Sequence, residues 1–465
     1  MKHRRSNEIR TDPLRSVFRQ SPAVGLVAIC LASTVQAGTL TTLYSFQGSQ
    51  PSGFVLQSPV TLDPTGTFLY GETFEGGLYS APITSGTTPI GNGILFKLAP
   101  SPSGGTPWVL TTLFNFNKQG RNPVGGLTLD TNTNSLIGAT KYGGIYQTND
   151  GHGNGTIFRF NLGTTGPEFT LLHNFWGPAG SDSFSSPIVD PSGNLIGATF
   201  AGGIRYNANA TSFGHQIGYS SGAGVVYDLA PPTGASNPYS LLHRFNFDPS
   251  SVPAARTTGI EPIGRLAQDA AGNVYGVTNR GGIGIGGTVF RLERKTSGWV
   301  YQILYRFGSN SPDGNQPSAG VIVDAAGNVF GTTAYGGASQ DSSHVGTVYK
   351  LTQKPRGGPW VETILHSFGT ILSDGSQPVA ELTMVNGVLY GTTGQGGSAN
   401  AGTIFSLTPP AAGQTEWAYN ILYSFQGGDD GSVPFAPLVA DGAGNFYGTT
   451  QNGAGGAGTV FRFTP

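Results

Sequence analysis

Charge is scarce in this chain, with 24 basic and 25 acidic residues among 465. Outside the first 37 residues no arginine- or lysine-rich stripe occurs, so the electrostatic footprint that nucleic acid requires is missing. Cysteine occurs once, at Cys30, which excludes an intramolecular disulfide. No segment keeps the apolar spacing of an amphipathic helix. The apolar stretch from about Ala23 to Val35 is too short to span a membrane permanently. Stability is therefore expected from a large buried core and from a sheet arrangement without an open edge.

Glycine and proline are abundant, at 74 and 31 residues, close to the share that marks a disordered chain when no periodicity is present. Here they fall at fixed offsets between short Val/Ile/Leu/Phe/Tyr runs, as punctuation between strands. The marker residues Phe46, Phe116, Phe175, Phe245, Phe307, Phe368 and Phe425 recur at gaps of 70, 59, 70, 62, 61 and 57 residues. A period near sixty with several apolar runs per copy describes a supersecondary unit that cannot bury its own faces.

Each copy reads as four strands. The first follows a proline, as in Pro317 to Val323. The second is Asn328-Val-Phe-Gly-Thr-Thr333, the third is Gly346-Thr-Val-Tyr-Lys-Leu351, and the fourth ends in the marker phenylalanine. Asp190, Asp269, Asp324 and Asp441 open Asp-x-x-Gly-Asn turns between the first and second strands, where a side-chain acceptor and a positive-φ glycine are needed. The pattern predicts an all-β, seven-bladed β-propeller of four-stranded antiparallel blades. Residues 39–46 form a fourth strand without its first three, and residues 434–463 form three strands without a fourth. Joining them closes the ring from both ends. The other six blades are expected at about 59–116, 123–175, 187–245, 262–307, 317–368 and 378–425, numbered 1 to 6 here, with the closing blade as 7. Residues 38–465 are thus expected to be one domain.

Residues 1–37 carry six basic residues, an apolar core and Val35-Gln36-Ala37, with small residues where a signal peptidase reads. They are expected to be a signal peptide. Ile29 before Cys30 argues against lipidation. Without this segment 18 basic residues remain of 24 and 23 acidic of 25, a net charge of −5.

The combination Tyr-Gly-Thr-Thr-x-x-Gly-Gly, Gly-Thr-Val-Phe and Leu-Tyr-Ser-Phe resembles the Gloeo/Verruco tandem repeat of exported bacterial proteins, over about residues 39–465. The resemblance implies extracellular bacterial proteins, many with a C-terminal sorting anchor, and no established molecular activity. This chain ends at Phe463-Thr-Pro465 without an apolar helix or basic tail, which departs from anchored members. The implied location is secreted or extracellular, with periplasm or outer cell surface also allowed. Kelch blades offer a weaker analogy of blade design, which carries no function.

Candidate sites follow from loop length. The connections between second and third strands hold 19, 14, 24, 8, 12, 8 and 7 residues, so the first three blades carry long loops on one face. These loops contain Tyr79; Tyr142, Tyr146 and His152; and Arg205, Tyr206, His215 and Tyr219, a set suited to sugar or peptide recognition. Local packing of the loops is the alternative. In the first strands, Arg265 and Glu381 stand three after Pro262 and Pro378, and are read as an ion pair or channel lining, with substrate polarisation as the sharper option. His173, His243 and His366 occupy an aromatic slot and are expected to be structural. Asp313, Asp374 and Asp430 are expected to be turn formers rather than calcium ligands. No nucleophile elbow, phosphate loop, dinucleotide motif or zinc spacing is present, so no cofactor, metal or catalytic residue is assigned. The expectation is a monomeric scaffold for an extracellular glycan or protein, the alternatives being a matrix protein or a polysaccharide-acting enzyme with its site at the channel mouth.

Overall fold

The computed structural model describes residues 38–48, 53–79, 91–146, 152–163, 168–203, 222–231, 238–246, 258–283, 285–308, 312–338, 345–371 and 373–465. The expected signal peptide lies outside them. Ala37–Pro465 is one compact unit, and its strands form seven antiparallel sheets, the blades of a β-propeller. Helix among the described residues is limited to short 3-10 turns at Gly177–Ala179 and Pro355–Gly357. No described helix is long and apolar enough to cross a membrane.

Blade 1 shows the plan: Thr61–Leu62, Leu69–Thr73, Ile94–Ala99 and Val109–Asn115 lie side by side in chain order. Blade 7 is assembled from both ends of the unit. Its sheet runs Val439–Ala440, Phe446–Thr450, Thr459–Thr464 and then Thr39–Ser45. Except in blade 4, where Ile260–Gln268 is one strand, first strands are shorter than expected. In blade 5 regular pairing covers Ile322–Val323, and a separate pair, Gly314–Asn315 with Tyr335–Gly336, stands before the proline. Pro317 has no N–H to give a ladder, and the segment after it packs on neighbouring blades: a Cβ at Gly264 would overlap the backbone of Gly320.

The fourth strand carries the repeat's most informative irregularity. In every blade one leucine is bulged out of register with the third strand: Leu43, Leu113, Leu172, Leu242, Leu304, Leu365 and Leu422. Strict alternation would send residues i and i+3 to opposite faces. The bulge resets the alternation, so the phenylalanine three positions later also turns inward. All seven marker phenylalanines are buried, at 0–1% exposure.

Each marker ring then meets the third-strand aromatic ring of the next blade edge-on. Phe46 lies 5.4 Å from Phe96, Phe116 5.2 Å from Phe158, Phe175 5.4 Å from Tyr227 and Phe245 5.4 Å from Phe290. Phe307 lies 5.0 Å from Tyr349, Phe368 5.4 Å from Phe405 and Phe425 5.4 Å from Phe461. Such pairs add about 0.5–1.5 kcal/mol beyond area burial. The hydrophobic core is correspondingly divided into seven clusters, one at each junction of neighbouring blades. The cluster joining Phe46, Tyr447 and Val460 to Leu69, Ile94 and Phe96 closes the ring.

The second-strand glycine belongs to the same device. A Cβ at Gly71, Gly138, Gly197, Gly276, Gly331, Gly391 or Gly448 would overlap or press into the third-strand aromatic side chain beside it. Gly138→Ala is therefore expected to cost about 1–3 kcal/mol through overpacking against Phe158. Gly428→Ala, with nothing within 4 Å, should leave stability unchanged. Urea midpoints of the two variants test the contrast. Threonine pairs complete the blade: Thr140 with Thr156, Thr278 with Thr288, Thr333 with Thr347, Thr393 with Thr403 and Thr450 with Thr459, each 2.8 Å between hydroxyls.

Candidate functional site

The aspartates of the first-to-second turns are structural. Oδ1 of Asp190, Asp269, Asp324 and Asp441 accepts two backbone N–H groups, and Oδ2 accepts the asparagine amide four residues on. Burial opposes ionisation of Asp269 and Asp441, yet these hydrogen bonds hold both below the usual carboxylate range.

The aromatic slot two residues before each marker sits at the outer rim of the blade junctions. His173 stacks on Tyr239 at 4.2 Å, His243 on Tyr301 at 3.8 Å, His366 on Tyr419 at 3.7 Å and Phe114 on Phe169 at 4.0 Å. Burial pushes His173 and His243 down to about 4, so both are neutral. Asp313, Asp374 and Asp430 do more than form turns. Asp374 takes His366 Nε2 at 3.1 Å and the Tyr419 hydroxyl at 2.8 Å, and Asp430 accepts from the Tyr423 hydroxyl at 3.0 Å. The Tyr305 hydroxyl lies 3.3 Å from Asp313 and 3.0 Å from Glu362. Burial first, and the charge of Asp313 second, push Glu362 up to about 8.

A second buried carboxyl escaped the sequence reading. Glu72 stands where blades 5 to 7 have the first threonine of Thr-Thr and blades 2 to 4 have Ala139, Ala198 and Val277, and it is 1% exposed. Thr332, Thr392 and Thr449 each donate to a backbone carbonyl of the next blade. Glu72 instead accepts from Ser58 Oγ and from the Gly126 N–H of blade 2, both at 3.0 Å, while its Oε2 is buried without a partner. Burial pushes it up to about 8, with those two bonds pulling the other way. The departure from Tyr-Gly-Thr-Thr at Tyr70-Gly71-Glu72-Thr73 was the available signal.

Fourth-to-first and second-to-third connections share one face, as the pairings Gly314 with Gly336, Gly375 with Gly396 and Ser432 with Asn452 require. After each Gly-Gly the chain emerges on this face. The N–H of Leu78 donates to Asn115 Oδ1 at 2.9 Å, and that of Ile145 to Asn174 Oδ1 at 3.1 Å. The pairs Leu78–Tyr79 and Ile145–Tyr146 are thus presented in the same way on blades 1 and 2, all four exposed. Trp176, on the link to blade 3, is 48% exposed. Tyr142 departs from the expected exposed anchor. It is half-buried, 5.1 Å from His152, with Lys141 Nζ 5.0 Å from its ring and 4.7 Å from that of Phe184. Arg121 donates to the His152 carbonyl oxygen at 2.6 Å. Arg205, Tyr206, His215 and Tyr219 lie outside the described residues.

The first strands surround a central cavity of about 700 Å³. At the third position after the strand-opening proline, blades 2, 5 and 7 have Gly126, Gly320 and Pro437, whereas blades 4 and 6 have Arg265 and Glu381. Gly320 lies between them: a Cβ there would crowd the Arg265 carbonyl oxygen and Glu381 Oε2. The expected ion pair is not formed among the described contacts. Arg265 donates instead to Thr128 Oγ1 at 3.3 Å. Burial lifts Glu381 to about 7, with the charge of Arg265 opposing the rise. Glu381 is the one carboxylate among the described residues lining the cavity. No described group of three or more His, Cys, Asp or Glu side chains is placed to hold a metal ion.

A family profile described as the Gloeobacter/Verrucomicrobia repeat matches residues 208–461. No curated protein matches the chain. Among solved structures, a protein of unknown function from Dyadobacter fermentans DSM 18053 is similar at 10% identity and a TM-score of 0.42, over 83% of this chain and 99% of that one. A fungal alcohol oxidase of the AA5 family, in complex with copper, is similar at 14% identity and a TM-score of 0.49, over 92% of this chain and 76% of that one.

Proposed function

The chain belongs to the Gloeobacter/Verrucomicrobia repeat family, and from that premise we propose that it is an exported propeller scaffold that binds an extracellular glycan through the face of blades 1 to 3. Residues 1–37 act as the export signal in this reading. The observation that carries it is the matched presentation of Leu78–Tyr79 and Ile145–Tyr146 on successive blades, with Trp176 exposed two residues beyond Asn174, which holds Ile145. Exposed rings on a rigid frame stack on the apolar faces of sugars, and nearby amides and basic groups fix orientation. The aliphatic Leu78 and Ile145, exposed by 65% and 68%, favour a protein partner as the second reading. Hydrolysis by a carboxylate pair would need a second acid in the channel beside Glu381.

A broad glycan and polysaccharide panel tests the proposal. Ligands found with the wild type are expected to bind the Tyr79→Ala/Tyr146→Ala double variant about tenfold or more weakly, at about 0.5–1.5 kcal/mol per lost stacking ring. Undiminished binding by the folded variant moves the site off this face. Absence of all glycan binding turns the reading to a protein partner.

A further inference from the structure

We infer that the central channel is a second binding site, for a small organic anion whose carboxylate sits on Arg265 and whose apolar body lies along the first strands. The cavity is of ligand size, since small-molecule sites usually measure about 300–1,000 Å³. Its wall is largely apolar, with Val60, Leu62, Ile263, Ile322, Met384 and Val439 contributed by five different blades. Into this wall the sequence places one guanidinium. Arg265 is exposed to the lumen and donates to a neutral hydroxyl, Thr128 Oγ1 at 3.3 Å. That hydroxyl is itself oriented, donating to the Pro187 carbonyl at 2.7 Å.

A guanidinium offers five N–H donors in a planar fork that matches a carboxylate. Without a carboxylate partner in an apolar wall, its charge is complementary to an anion that enters from outside. Glu381 forms no ion pair with it among the described contacts; burial raises it to about 7 against the charge of Arg265, and in its protonated form it can donate a hydrogen bond to a second oxygen. The neighbouring blades reinforce the placement. Gly320, which has no side chain, packs closely between the Arg265 backbone and the Glu381 carboxyl. The site is separate from the Tyr79/Tyr146 face and does not depend on the glycan reading.

Isothermal titration of the purified full chain with sodium octanoate tests the inference, with octanamide as the uncharged comparator. One molecule per chain is expected, with octanoate held about tenfold or more tightly than octanamide. Arg265→Gln should erase that preference, Arg265→Lys should retain part of it, and Tyr79→Ala/Tyr146→Ala should leave it intact. Equal binding of octanoate and octanamide overturns the inference. So does an octanoate affinity unchanged in folded Arg265→Gln, or no binding of octanoate, decanoate or phenylacetate up to about 1 mM. The octanoate–octanamide comparison is made on the wild type, so it stands even if a variant fails to fold.

Discussion

A chain lacking residues 39–46 is expected to lose its cooperative unfolding transition and to associate through the exposed edge of Thr459–Thr464. That strand pairs with Thr39–Ser45 over six residue pairs, and the deletion leaves its backbone donors and acceptors open. It also removes Leu43 and Phe46, which are 1% and 0% exposed. Losing buried side chains of this kind costs about 2–5 kcal/mol each, against a total domain stability of about 5–15 kcal/mol. The damage reaches blade 1 as well, because Phe46 is the ring that meets Phe96. Calorimetry and size-exclusion chromatography of the truncated chain measure the effect. Phe46→Ala is the graded form, with about 3–5 kcal/mol expected from its denaturation curve. A truncated chain that stays monomeric with an unaltered transition would show that blade 7 does not need its fourth strand.

Stability is expected to fall most steeply between about pH 6.5 and 8. In the folded chain Glu72 and Glu362 keep their protons to about pH 8 and Glu381 to about 7. The unfolded chain releases them near the ordinary value of about 4.3. The folded state therefore binds more protons across this window, and stability declines as pH rises, by about 1.4 kcal/mol per unit for each fully buried group. The part of this contributed by Glu362 and Glu381 is smaller, since neither is fully enclosed. His173 and His243 act in the opposite direction. They stay neutral down to about 4 in the fold, whereas an unfolded histidine charges below about 6.5. Their contribution is lost as pH falls from 6.5 to 4, which offsets the carboxyls on the acid side and leaves the alkaline side uncompensated. Glu72→Gln should flatten the slope above 6.5 by up to about 1.4 kcal/mol per pH unit. Urea unfolding at a series of pH values gives the slope directly. A stability that is level or rising from 6.5 to 8 would contradict protonated carboxyls at these positions.

Much of the fold was legible because the repeat is written in residue types with narrow physical uses. The Asp-x-x-Gly-Asn turns, the strand-opening prolines and the split blade announced themselves locally, and the structure has seven blades with the expected closure. The histidine slot was legible by comparing copies, and His173, His243 and His366 do stack as aromatic members of it. Side-chain direction was not. The bulge at Leu43 and its equivalents breaks the two-residue alternation from which facing is read. The Tyr419 hydroxyl on Asp374 and the Tyr305 hydroxyl on Glu362 come from 45 and 57 residues away, so no local spacing signals them. Tyr142 looked like an exposed anchor from its loop, whereas Lys141 and His152 half-cover it. Arg265 and Glu381 were recognised as a matched pair, but their register did not reveal that Arg265 turns toward Thr128.

The rim contacts between blades have a consequence for how the seven copies relate to one another. At one junction Phe114 faces Phe169, at another His243 faces Tyr301, and at a third Tyr305 faces a carboxyl. Both halves of a contact must match, yet they are encoded in neighbouring copies. A blade moved to another place in the ring would meet a stranger on each side, with Glu362 set against His243 or Phe114 set against Tyr419. The copies are thus similar in plan and no longer interchangeable, each carrying the address of its two neighbours. Recombination between them, which identical repeats would tolerate, is penalised here at the joins rather than within the blades.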